Sequence, residues 1–141
     1  MKELGSESPM ESLFDIRSLE VITGGEPAAL QRLLETLLAS SRDDRTRLAE
    51  LLELADLQGV AELAHRIKGA ARVVGSSLLV ESCSCLEKAC QNPSESSERI
   101  ANLASSLEGK LSAFEISIST ELAKLWRSDQ IEVSEAVQVS P

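Results

Sequence analysis

Leucines that recur every three or four residues set the fold of this chain. Leu30, Leu33, Leu34, Leu37 and Leu38 follow that spacing, and Leu48, Leu51, Leu52 and Ala55 resume it beyond a charged middle, Arg42 to Arg47. Apolar side chains so spaced share one helix face, which predicts a long helix over about 27–55. Pro27 suits its first turn, and Ser40-Ser41 is the candidate break. Asp56 then suits the N-cap of a helix over 57–74, stopped by Gly75. A third runs from Ser76 to Gln91, closed by Asn92-Pro93. The last covers Ser94 to Arg127, with Ile100, Leu103, Leu107, Leu111, Phe114, Ile118, Leu122 and Leu125 at near-heptad spacing. Upstream, Asp15 or Ser12 caps a short helix through Val21 or Ile22 that ends at Gly24-Gly25. Phe114, Ile116 and Ile118 alternate as a strand would, but the surrounding helical period outweighs them. The expectation is an all-α chain: an antiparallel four-helix bundle with a short N-terminal cap helix, occupying 12–127. Residues 1–11 read as a disordered lead-in. Residues 128–141 lack helical period and read as a flexible tail or a linker.

Composition removes several kinds of function. The 141 residues suffice for one domain and not two. Fourteen basic against 23 acidic side chains leave a net charge of −9, the wrong balance for nucleic-acid binding, which needs clustered cations. The only aromatics are Phe14, Phe114 and Trp126, so base stacking has little to work with. No apolar run is long enough to cross a bilayer, and the N-terminus lacks a signal-peptide core, so a soluble chain without direct membrane contact is expected. His65 is the single histidine, which rules out paired-histidine zinc sites within one subunit. Neither a Gly-x-Ser-x-Gly elbow nor a phosphate-binding Gly-x-x-x-x-Gly-Lys loop occurs. Cys83, Cys85 and Cys90 are odd in number and point to free thiols in a reducing compartment. Residues two apart on a helix point away from each other, so Cys83 and Cys85 make no metal pair; no metal site and no cofactor of the chain's own is expected.

If the chain does chemistry, it is at His65. On the 57–74 helix Val60, Leu63, Ala64, Ile67, Ala71 and Val74 form the core stripe, and His65 lies about 150° from its centre. A lone histidine is commonly a satisfied core residue, but this one points to solvent. Lys68 and Gly69, three and four positions on, share its face, and Arg72 continues it. Glycine inside a helix costs about 1 kcal/mol relative to alanine. A helical side chain covers the turn before its own backbone, so a large residue at 69 would lie over the imidazole. Close helix packing is the other explanation for Gly69, and its position opposite the core speaks against it. Within 60–75, Arg66, Lys68 and Arg72 face one acid, Glu62, a basic patch on an acidic chain. An ammonium such as Lys68 is a competent phosphate partner.

Ala64-His65-Arg66-Ile67-Lys68-Gly69-Ala70-Ala71, followed by Gly75, Leu79, Cys83 and Leu86-Glu87, resembles the signature of histidine phosphotransfer (HPt) domains. Phe14-Asp15 at a cap helix fits the same pattern, and the resemblance extends over about 15–125. It implies a module that accepts a phosphoryl group from the aspartyl phosphate of one response-regulator receiver domain and passes it to the aspartate of another, without binding ATP. By that resemblance His65 is the phosphorylated residue, through Nε2, and Lys68 stabilises the phosphoryl oxygens. Glu87 hydrogen-bonds the imidazole, and Gly69 leaves room for the receiver. Ala61, Glu62 and Arg72 are the further contacts expected on the docking face. Mg²⁺ comes with the receiver. A cytoplasmic monomer is the simplest expectation, free-standing or as the cytoplasmic module of an inner-membrane sensor kinase. Two other readings stay open: a non-catalytic receiver-binding adaptor, and a chemotaxis-kinase-type phosphotransfer domain fed by an ATP-binding domain.

Overall fold

A computed structural model describes residues 14–139, with side chains through Ser128; the expected lead-in, 1–11, lies outside them. Five helices follow one another: α1 (Ile16–Ile22), α2 (Pro27–Glu53), α3 (Leu57–Val73), α4 (Ser77–Gln91) and α5 (Ser97–Val139). No strand occurs among the described residues. Helices α2 to α5 run up and down, and each packs on its two ring neighbours, α2 against α3 and α5, α4 against α3 and α5. The predicted leucine faces make the core: Leu34, Val60, Cys83, Leu86, Leu107 and Ile118 are fully buried.

Side-chain caps set the helix starts. Asp15 accepts from the Arg17 N–H, Asp56 from the Gly59 N–H, Ser76 from the Leu79 N–H, and Ser96 from the Arg99 N–H, each occupying a donor that the first turn leaves unpaired. At the end of α3, Gly75 has φ +73, and a Cβ there would sit 3.1 Å from that of Asp15. Glycine is therefore needed twice, for the left-handed turn and for the approach of α1. The Asp15 N–H donates to the Val74 carbonyl at 2.9 Å, and Phe14 meets Phe114 edge-on, ring centroids 5.8 Å apart. These contacts fasten α1 across one end of the bundle.

Three expectations are corrected. Helix α2 ends at Glu53 instead of 55, because Ala55 takes φ +54 in a left-handed turn. The Asp56 N–H reaches the Leu51 carbonyl and the Ala55 N–H that of Leu52, so the last carbonyls are satisfied without further helix. Helix α2 also passes unbroken through Ser40-Ser41. Helix α5 continues to Val139 where a tail or linker was expected from 128. That stretch lacks an apolar period, but it also lacks any Gly or Pro before Pro141, so nothing in it stops a helix.

Candidate functional site

His65 stands in the middle of α3 with its side chain 67% exposed. Its Nδ1 lies 3.0 Å from Oε2 of Glu87 on α4, and the Lys68 Nζ donates to Oε1 of the same carboxylate at 2.7 Å. The hydrogen bond from Lys68, above all, holds the Glu87 carboxyl below the usual carboxylate range; burial opposes it and His65 adds to it. An ionised carboxylate only accepts, so Nδ1 must carry the proton it donates. In the neutral ring Nε2 then keeps its lone pair. The imidazole is thus held by one nitrogen in mid-helix, with the other open to solvent.

The structure brings three predicted residues together and distributes the rest around them. Glu87 reaches His65, a contact that sequence spacing leaves open. Lys68 turns inward to Glu87, its side chain 13% exposed, and does not lie along the outer face. Gly69 is exposed, and a Cβ added there meets nothing within 4 Å, which removes helix packing as the reason for the glycine. Arg72 is exposed and Glu62 accepts from Gln58 at 3.3 Å. Ala61, expected as an outward apolar contact, is only 6% exposed. It sits one position from the core stripe, and its short side chain is covered by neighbours. Together with Gln58, Glu62, His65, Glu87, Cys90 and Gln91 it lines an open depression between α3 and α4.

Arg66, counted in the basic patch but given no role of its own, has a definite partner. Arg66 donates from Nη2 to Oδ1 of Asp44, on α2, at 2.7 Å. Its position next to the histidine is a signal, but the partner lies 22 residues earlier, in the charged stretch that interrupts the leucine spacing.

Cys83 takes no part in this chemistry. Cys83 is fully buried, and burial pushes its thiol up to about 12, so it is an inert core side chain. Among the described residues no group of three or more His, Cys, Asp or Glu side chains is placed to hold a metal ion. A second groove of about 440 Å³ between α2 and α5 is mainly aliphatic, and its charged lining residues, Arg45 and Glu108, face each other at 3.7 Å.

The chain is similar to known proteins over most of its length. Residues 32–127 match the family model described as Hpt domain. The chain is 30% identical over 117 residues to the virulence sensor protein BvgS of Bordetella pertussis, covering 83% of this chain and 10% of that protein. It is 31% identical over 102 residues to BvgS of Bordetella bronchiseptica, covering 72% of this chain and 8% of that one. The chain thus spans about a tenth of the length of these relatives. Among solved structures, histidine-containing phosphotransfer protein B (HptB) of Pseudomonas aeruginosa superposes with a TM-score of 0.69 at 23% identity, covering 84% of this chain and 98% of that one.

Proposed function

The chain belongs to the Hpt domain family, and from that premise we propose that it relays phosphoryl groups between receiver-domain aspartates through a phosphohistidine at His65. The observation that carries the reading is the Glu87 carboxylate on Nδ1, which leaves Nε2 of an exposed ring as the reacting atom. In the forward step the Nε2 lone pair attacks phosphorus of an aspartyl phosphate. The N–P bond forms as the acyl O–P bond breaks, and the aspartate leaves with the electron pair. The ring gains positive charge, which the Glu87 carboxylate opposes through the Nδ1–H bond. An acceptor aspartate reverses the sequence, with Nε2 as leaving group.

Such a transfer needs in-line placement and charge neutralisation more than acid–base machinery. Lys68 has three N–H donors, of which one is committed to Glu87, so two remain for phosphoryl oxygens. The receiver contributes the aspartate and Mg²⁺. Gly69 costs the helix about 1 kcal/mol relative to alanine, and nothing within the chain requires it; the open surface that it leaves accommodates the receiver. Glu62 and Arg72, both exposed on α3, are the further contacts proposed for the receiver. No described helix is long and apolar enough to cross a membrane, and a receiver-facing role places this module in the cytoplasm.

The test is phosphotransfer from a phosphorylated receiver with Mg²⁺, comparing wild type with His65→Gln. Acid-labile, base-stable label on the wild type alone is the expected result. Label that persists on the folded variant would overturn the assignment. A stable receiver complex without transferable phosphate would instead mark an adaptor.

A further inference from the structure

Resting on that reading, we propose that Arg66 is a receiver-docking residue that recognises a carboxylate at the rim of the partner's phosphorylation site, and that buried Asp44 is the positioning residue that holds it. Neighbouring residues on a helix are 100° apart. His65 therefore leans to α4, where Glu87 holds it, and Arg66 to α2, where Asp44 holds it at 2.7 Å. The two held side chains bracket the exposed face of α3. A typical docking patch of roughly 800 Å² per partner has a radius of about 16 Å. Adjacent helix axes are only about 8–10 Å apart, so a receiver centred on His65 covers the guanidinium as well.

The fold does not account for the pair. Asp44 is buried, its side chain 12% exposed, while that of Arg66 is 63% exposed. Burial outweighs the attraction of Arg66 and holds the Asp44 carboxyl above its ordinary range. A raised carboxyl pKa means that the ionised form is less favourable in the folded than in the unfolded chain. The charge is thus kept at some cost to stability. What it achieves is a fixed guanidinium: one N–H is bound to Asp44, and of the five donors the others remain for a partner. A planar fork held in advance loses less freedom on binding a carboxylate. Acidic side chains are what a Mg²⁺-dependent aspartate pocket must present, so the charge is complementary.

The experiment measures transfer kinetics from the phosphorylated receiver beside labelling by phosphoramidate, a small donor that needs no docking. Arg66→Gln should raise KM for the receiver about tenfold, with kcat and phosphoramidate labelling unchanged. Asp44→Asn keeps an acceptor for the guanidinium but removes the charge that holds it; KM should rise a few-fold, with thermal stability at neutral pH no lower than wild type. Should either single variant fold poorly, Asp44→Leu with Arg66→Met replaces the pair by apolar groups, and KM should rise as for Arg66→Gln. A folded Arg66→Gln or double variant with wild-type KM overturns the proposal. So does a parallel fall in phosphoramidate labelling, which would assign Arg66 to the imidazole chemistry. Failure of the wild type to take label from either donor is distinguishable, because it removes the phosphotransfer reading itself and the docking role with it.

Discussion

Two glutamates, Glu87 on α4 and Glu115 on α5, each bind two donor residues, and yet only one of them leaves a nitrogen of its partner open to solvent. Glu115 is buried; it accepts from Ser41 Oγ at 2.7 Å and from Arg45 Nε and Nη2 at 2.8 Å each. Both donor residues come from α2, so the cluster joins α2 to α5 and leaves no reactive atom exposed. Glu87 binds Lys68 and His65, both from α3, and the imidazole has a second nitrogen that the cluster does not use. A shared carboxylate becomes a functional device when one of its donors is a two-ended side chain whose far end meets solvent.

Substitutions at the two carboxylates should separate these roles. The largest effect on stability is expected from Glu115→Ala, which strands Arg45 and Ser41 at the α2–α5 contact. About 3 kcal/mol should be lost in chemical denaturation, while folded protein still accepts phosphate at the wild-type rate. Glu87→Ala should do the reverse. Lys68 is long enough to turn outward, so stability should fall by about 1 kcal/mol. Labelling by phosphoramidate should slow at least about tenfold, because the ring is no longer held. Equal stability losses for the two variants would break the distinction.

A pH series sharpens it. Burial pushes the Glu115 carboxyl up, but the hydrogen bonds from Arg45 and Ser41 outweigh it and leave the group below its ordinary range. An acid lowered by folding adds stability above its unfolded pKa, about 4.3, and that stability disappears as pH falls through the folded value. Glu87 shares this sign, and Asp44, raised by burial, has the opposite one. Denaturation between about pH 6 and 3 should therefore show a shallower acid limb for Glu115→Gln than for wild type. The smallest effect concerns neither cluster. Ala55→Gly relieves the left-handed residue after α2 and should add up to about 1 kcal/mol, with transfer unchanged.

Much of this was legible in the residues. The leucine period places α2 to α5, the caps at Asp15 and Asp56 place two helix starts, and the wheel puts His65 outside. What sequence does not carry is partnership between helices. Ser41 and Arg45 lie 74 and 70 residues from Glu115, so nothing in the spacing of the Arg42–Arg47 stretch shows that it supplies ion pairs to α3 and α5. Lys68 shares a nominal face with His65, but the carboxylate on α4 draws it inward. Ala61 shows the limit of a wheel: it is covered at 6% exposure, while Ala70, nearer the stripe, is exposed. At the α5 end, the loss of period marks the end of apolar patterning without marking the end of the helix.

The central claim is that Glu87 fixes the proton on Nδ1 and leaves Nε2 to react. Nitrogen-15 and phosphorus-31 spectra of ¹⁵N-labelled protein phosphorylated with phosphoramidate would identify the atom that carries phosphorus. The account predicts an Nε2–P bond with Nδ1 still protonated; phosphorus on Nδ1 of His65, or on another residue, would contradict it.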